Sequence, residues 1–142
     1  MLNVENIEEG REFRPDFNKR GGLLPCVAQD AETGDILMLA YVNQAALTRT
    51  LKTGIATFYS TSRQAIWVKG ETSGNALRVR RILVDCDQDS FVYQVELSGD
   101  GACHTKDGRG KTRYSCFYRQ LTGGGLEYLA DRGSGGGANA DE

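Results

Sequence analysis

The chain holds one histidine, one tryptophan and two prolines in 142 residues. No run of apolar residues approaches the ~20 needed to span a bilayer, so a transmembrane helix is excluded. Neither sign of charge dominates: 17 Lys+Arg oppose 19 Asp+Glu, for a net charge of −2. Such a balance supplies no basic field to draw nucleic acid as the main partner. The opening stretch MLNVENIEEGREFRPDF lacks an apolar core of the signal-peptide kind, and no secretory signal is expected. There is no Cys-x-x-Cys pair, which excludes a zinc-ribbon pattern. At 39% hydrophobic and 25% charged, the composition is globular, and collagen, coiled-coil and disordered classes fall away. The length suits one domain with a real core.

Cysteine is present at positions 26, 86, 103 and 116. Without an export signal, and in a chain large enough to fold unstapled, these read as reduced thiols of a cytoplasmic protein. They are then free to bind metal, to do chemistry or to pack.

Three regions are expected. Residues 1–21 are charged and Pro-interrupted, an N-terminal arm. Residues 22–121 form the folded domain. Residues 122–142, TGGGLEYLADRGSGGGANADE, hold seven of the 18 glycines and read as a flexible tail, with a short turn of helix near Leu126–Leu129. Within the domain, Leu23–Gln29 and Ile36–Val42 flank the polar turn AETGD and predict a hairpin. Asn43 can cap a helix, with Val42 and Leu47 as a hydrophobic staple and Gly54 as the stop. Leu47 and Leu51 share one face of it. Short β-rich runs follow at Ala56–Ser60, Ile66–Val68, Leu77–Val84 and Phe91–Leu97, the last alternating cleanly. Leu77 and Val79 are out of phase with Ile82 and Val84, which a bulge near Arg80–Arg81 would reconcile. The expected class is α+β: mostly antiparallel strands with one main helix.

Three constellations could carry chemistry. In Asp85-Cys86-Asp87-Gln88-Asp89, an extended backbone would put three carboxylates in a row with Cys86 on the other face. Three like charges so spaced invite a cation, and oxygen ligands suit a hard divalent ion such as Mg²⁺. The plain alternative is a polar turn between strands. A calcium loop is the third reading, since Asp85, Asp87, Asp89 and Glu96 occupy its positions 1, 3, 5 and 12. Ser90 stands where that loop requires glycine, and its flanks read as strands rather than helices. Cys86, Cys103 and Cys116 lie 17 and 13 residues apart, with His104 beside Cys103. Three soft ligands and an open position would suit a Zn²⁺ that lowers the pKa of a bound water towards ~7. Buried cysteine is otherwise a small hydrophobe, a role that fits Cys26 in LLPCVAQ. His104 is a candidate proton carrier. Finally, the Trp67–Asn75 loop WVKGETSGN offers Gly70 and Gly74 for close approach, Thr72 and Ser73 hydroxyls and the Lys69 charge. It is either a phosphate-holding loop or simply a turn.

In this order LLPCVAQDAETGDILMLAYVNQAAL, FYSTSR, WVKGETSGN, VDCDQD, ACHT and SCFY, between Leu23 and Tyr118, strongly resemble the phosphoribosyl-AMP cyclohydrolase family of histidine biosynthesis. The resemblance implies hydrolytic opening of the N1–C6 bond of the purine of phosphoribosyl-AMP. It also implies an intertwined, β-rich homodimer containing Zn²⁺ and Mg²⁺. By position, Cys86, Cys103 and Cys116 match the zinc thiolates, Cys86 being donated across the dimer interface. Asp85, Asp87 and Asp89 match the magnesium carboxylates, and His104 matches the histidine of the Cys-His pair. Arg63, Trp67, Lys69, Gly70, Glu71, Thr72 and Ser73 are the expected substrate-binding residues. One departure stands out. The family commonly links its last two cysteines as HTGRRSC, whereas here the link is HTKDGRGKTRYSC. A loop insertion is cheap in entropy, so the site is expected to survive it, with Arg109, Lys111 and Arg113 as candidates for the basic role. No pyrophosphohydrolase-like domain follows Tyr118, and a monofunctional enzyme is expected. The competing class is a metal-binding structural or interaction module in which zinc only ties loops together.

Overall fold

The computed structural model describes residues 6–130. Its core is a six-stranded mixed sheet built from β1 (Leu24–Asp30), β2 (Ile36–Val42), β3 (Thr57–Ser60), β4 (Ala65–Val68), β5 (Leu77–Val84) and β6 (Phe91–Leu97). The spatial order is β4-β3-β2-β1-β6-β5, with β1 and β6 parallel and every other neighbour antiparallel. One helix, α1 (Gln44–Thr53), packs on β2, β3 and β4. The α+β expectation holds, and among the described residues no helix is long and apolar enough to cross a membrane.

Alternation decides which side of each strand is inside. On β1, Leu24, Cys26 and Ala28 are fully buried. Across the parallel ladder Phe91 and Tyr93 of β6 stand opposite Cys26 and Ala28, with buried Val95 opposite Asp30. Cys26 is thus a core residue, its thiol pushed well up by burial. The helix begins and ends as its sequence dictates. Asn43 accepts a hydrogen bond from the Ala46 N–H at 2.8 Å, and Gly54, at φ 79°, donates back to the Thr50 carbonyl at 2.8 Å. The staple residues Val42 and Leu47 are both fully buried. Of the pair that shares a face, Leu47 is inside and Leu51 is 59% exposed. The inward residues are Ala46, Leu47 and Thr50, and at 100° per residue Leu51 stands roughly 90° from their centre. The bulge is real: the β5–β6 register shifts between Val79 and Arg81.

The expected helical turn near Leu126–Leu129 is a hairpin instead. Strand β7 (Arg119–Thr122) pairs with β8 (Gly125–Tyr128), Leu121 opposite Leu126. Gly123 and Gly124 both adopt positive φ, 52° and 90°, the requirement of a two-residue primed turn. The glycines read as tail composition therefore close a turn, and pairing continues past the boundary expected at residue 121. The remainder of the expected tail, 131–142, lies outside the described residues, as do residues 1–5 of the arm.

The described part of the arm is fastened to the turn between β5 and β6, with Phe17 packed against the core. It carries a single 3-10 turn at Phe17–Arg20. Gln88 fastens it: its carbonyl accepts from the Asp16 N–H at 3.0 Å, its Oε1 from the Arg14 N–H at 2.6 Å, and its Nε2 donates to the Glu12 carbonyl at 3.0 Å. Phe13 completes the attachment edge-on to Phe91, with ring centroids 6.2 Å apart.

Candidate active site

The acidic segment is a turn, which corrects the extended row. After β5 the chain reverses through residues 85–90, helped by Gln88 at φ 59°, before entering β6. Asp85 organises the reversal by accepting from the Asp89 N–H at 2.9 Å, the Ser90 N–H at 3.2 Å and the Ser90 hydroxyl at 2.6 Å. The carboxylates of Asp85, Asp87 and Asp89 converge all the same, with one oxygen of each within 4.8 Å of the others. The flanking strands dispose of the calcium loop, which needs helices there.

The arm supplies cations to this cluster. Lys19 Nζ lies 3.0 Å from Asp87 and 2.7 Å from Asp89, and Arg20 lies 3.1 Å from Asp89. The Lys19 hydrogen bond holds the Asp89 carboxyl well below the usual carboxylate range, and Asp89 in turn raises Lys19. Three convergent oxygen donors that already hold an ammonium fit a hard cation.

A second polar centre lies elsewhere, around a cavity of about 590 Å³. Its floor carries Cys103 and Cys116, and His104 stands exposed at the wall. Both thiols are placed by backbone. Cys116 donates its N–H to the Leu37 carbonyl on β2 at 2.7 Å, while the preceding Ser115 hydroxyl bonds the Ile36 carbonyl at 2.7 Å. Cys103 donates its N–H to the Arg113 carbonyl at 3.1 Å, and its sulfur receives the Thr105 N–H at 3.4 Å. Burial, with the neighbouring Cys103 sulfur, pushes the Cys116 thiol up to about 12. Two thiols this close cannot both ionise without positive charge beside them, and that donor chemistry fits a soft metal such as zinc.

The longer link between them does not spread the site. Residues 102–105 run antiparallel to 113–114, through bonds from the Ala102 N–H to the Tyr114 carbonyl and from the Arg113 N–H to the Thr105 carbonyl. Lys106 then bridges Thr112, and Asp107 closes the tip by accepting from the N–H groups of Arg109 and Lys111. The insertion is a small hairpin projecting outwards. Arg109 and Lys111 sit exposed at its tip. Arg113 is 8% exposed, bonded to Thr105 Oγ1 and stacked 4.1 Å from the Tyr118 ring centre. Of the basic residues in the link, Lys106 is the one that reaches the cavity.

The opposite wall is the Trp67–Asn75 loop. Arg63, Trp67, Lys69 and Gly70 all line the cavity, as do Glu71, Thr72 and Ser73. Arg63, Glu71, Thr72 and Ser73 are exposed, Trp67 is half-buried against Phe58, and Lys69 is buried. Close backbone approach locks this loop to the thiol loops. A Cβ on Gly70 would fall 2.2 Å from the Ala76 nitrogen, one on Gly99 would fall 2.0 Å from Asn75 Oδ1, and one on Gly101 would fall 2.3 Å from the Arg113 carbonyl oxygen. Asn75, Asp100, Lys106 and Thr112 belong to the cavity and were not among the expected site residues. Asn75 at least stood inside the quoted WVKGETSGN motif. Nothing in the local sequence marks the others.

Cys86 is the expected residue the chain does not bring in. It is exposed on the acidic turn and borders a separate groove of about 380 Å³ beneath the arm. Among the described residues, the cluster of potential metal ligands is that of the aspartates and does not include it.

Residues 38–118 match the family model for phosphoribosyl-AMP cyclohydrolase. Proteins bearing that name are similar over most of their length. The one from Desulforapulum autotrophicum is 50% identical over 109 residues, covering 77% of this chain and 82% of its own. That of Hyphomonas neptunium is 50% identical over 121 residues, with coverage of 85% and 86%. That of Haloquadratum walsbyi is 48% identical over 120 residues, with coverage of 84% and 85%. With a cavity walled by the matched motifs and relatives at this level of identity, the chain belongs to the phosphoribosyl-AMP cyclohydrolase family.

Proposed function

We propose that this protein hydrolyses the N1–C6 bond of the purine ring of phosphoribosyl-AMP, in histidine biosynthesis, within the cavity between the Trp67–Asn75 loop and the Cys103–Cys116 floor. The observation that carries the reading is the meeting of a thiol pair, a cavity-wall histidine and a Gly-rich polar loop around one space in a chain of this family. Zinc held by Cys103 and Cys116 would supply Lewis-acid activation of a water near purine C6. Trp67 offers a flat face to the base. His104, exposed at the wall, takes one proton of the attacking water and returns it to N1 as the C6–N1 bond breaks. The second passes from the new C6 hydroxyl to the exocyclic nitrogen and leaves C6 as a carboxamide, so no net proton is gained or lost. Arg63, the Thr72 and Ser73 hydroxyls and the loop around Gly70 and Glu71 receive the phosphates. Magnesium held by Asp85, Asp87 and Asp89 would offset phosphate charge.

The third thiolate is Cys86 of a second copy, making the active form a homodimer with a shared zinc site. Its support is the exposure of Cys86 away from the cavity, next to Leu83 and Val84, which are 39% and 40% exposed on β5. A soluble cytoplasmic enzyme acting on a small molecule, with neither nucleic acid nor membrane as partner, accords with the balanced charge. Purified protein supplied with zinc and magnesium should add one water to phosphoribosyl-AMP. A preparation that binds both metals and leaves the substrate intact would instead favour the structural-zinc module.

A further inference from the structure

Lys69 is the one residue of the Trp67–Asn75 loop whose placement does not match a phosphate contact. Its side chain points inward, and the residue is 7% exposed while Glu71, Thr72 and Ser73 beside it are exposed. The position is fixed from both sides. The Lys69 N–H donates to the Ala56 carbonyl at 3.0 Å, and the following Gly70 is pressed against the Ala76 backbone. The ammonium donates to the Asn75 carbonyl at 2.9 Å. Asn75 is itself held, its Oδ1 accepting from the Asp100 N–H at 3.2 Å and its side chain lying against Gly99.

No carboxylate answers this charge: among the described residues none of the ion pairs involves Lys69. A buried ammonium with a single carbonyl partner is a costly arrangement unless an anion faces it. Glu71, Asp100, Cys103 and Cys116 share its cavity, and of these the two sulfurs are the groups whose charge acts on Lys69, against the burial that lowers its pKa.

We infer that Lys69 is a positioning residue for the metal, its buried ammonium serving as the fixed counter-charge of the Cys103–Cys116 thiolate pair. The inference rests on the proposed zinc site and deepens it. Three thiolates leave a zinc centre with one net negative charge, which would weaken its pull on a water. An ammonium anchored nearby returns the cluster to neutrality without occupying the open position. It also explains why the fold keeps a buried lysine where a methionine of similar volume would be cheaper.

The test compares Lys69→Met, which removes the charge at similar length, with Lys69→Arg, which keeps it. Zinc affinity is read by competition with a chromophoric chelator, and thermal melting is read in EDTA. Lys69→Met should bind zinc about tenfold more weakly or worse, the range for loss of a group supporting metal ligands, and Lys69→Arg should recover most of that loss. Without metal, Lys69→Met should melt no lower than wild type, because an uncompensated buried charge has been removed. Unchanged zinc affinity with a raised KM would make Lys69 a phosphate contact and overturn the inference. Unchanged affinity with a lowered metal-free melting temperature would make it a structural strut, with the same consequence. The underlying reading fails separately: wild-type zinc affinity that survives Cys103→Ser removes the site itself. Weakened zinc in Lys69→Met with no turnover in wild type would sink the enzymatic proposal and leave the inference standing.

Discussion

The acidic turn and the thiol cavity organise potential metal ligands in opposite ways. At 85–90 the ligands are neighbours in sequence, arranged by Asp85 bonding its own turn, and the charges that balance them are exposed: Lys19 is 41% and Arg20 53% exposed in their side chains. At the cavity the two thiols come from either end of a 13-residue separation, set by bonds to β2 and to each other's loops, and the balancing charge is the buried Lys69. A hard ion with exchangeable water suits the first arrangement, where surface cations can swing away. A soft metal that must stay in one place suits the second. The difference also explains which site a short motif can announce.

The comparison can be broken most sharply at the thiols. Replacing Cys103 or Cys116 by Ser should abolish zinc binding and reduce turnover of phosphoribosyl-AMP to background, whereas Asp87→Asn should leave zinc content intact and raise the magnesium requirement. Metal analysis with a turnover assay reads both. Next in size is His104→Ala, expected to lower kcat by about 10²–10⁴ with zinc content unchanged. The interlocked loops give a stability effect. Gly101→Ala drives a methyl into the Arg113 carbonyl and should cost about 2 kcal/mol or more, read from chemical denaturation. A comparable change on the acidic side, Lys19→Ala, should leave the midpoint nearly unmoved and tighten Mg²⁺ binding by roughly threefold, because the displaced cation was held only at the surface. Isothermal titration with MgCl₂ would show it.

The smallest expected effect is one of pH. Tyr114 donates to Asp30 at 2.6 Å and so ties the β1–β2 turn to the loop bearing Cys116. Burial alone would raise the Asp30 pKa, but the Tyr114 hydroxyl and the N–H groups of Glu32 and Thr33 outweigh it and hold it below 3.8. A depressed carboxylate contributes stability above its unfolded pKa and loses it as pH falls through the folded one. Tyr114→Phe should therefore be less stable than wild type at neutral pH, with the gap closing below about 4.

Most of the sheet was legible because its signals are local. Asn43 and Gly54 bound the helix, Phe91–Leu97 alternates, and the phase change at Arg80 announced the bulge. Errors arose where two readings shared one composition. Gly123-Gly124 served a primed turn where a tail was expected, and the Asp85–Asp89 spacing served a turn where an extended row was expected. The gathering of the aspartates within 4.8 Å belongs to the turn, since an extended row would hold Asp85 and Asp89 about 13 Å apart. The clamp of Gly99 on Asn75 and the burial of Lys69 in a cavity shared with Cys103 and Cys116 depend on partners far along the chain. No window of sequence contains them.

The central claim is that the thiol cavity is the catalytic centre. It is tested most directly by titrating zinc back into chelator-stripped protein at constant magnesium while following phosphoribosyl-AMP turnover. Activity should be absent at the start, rise in proportion to bound zinc and saturate at about one zinc per chain. Turnover that persists in the stripped protein, or that does not respond to zinc binding at Cys103 and Cys116, would contradict it.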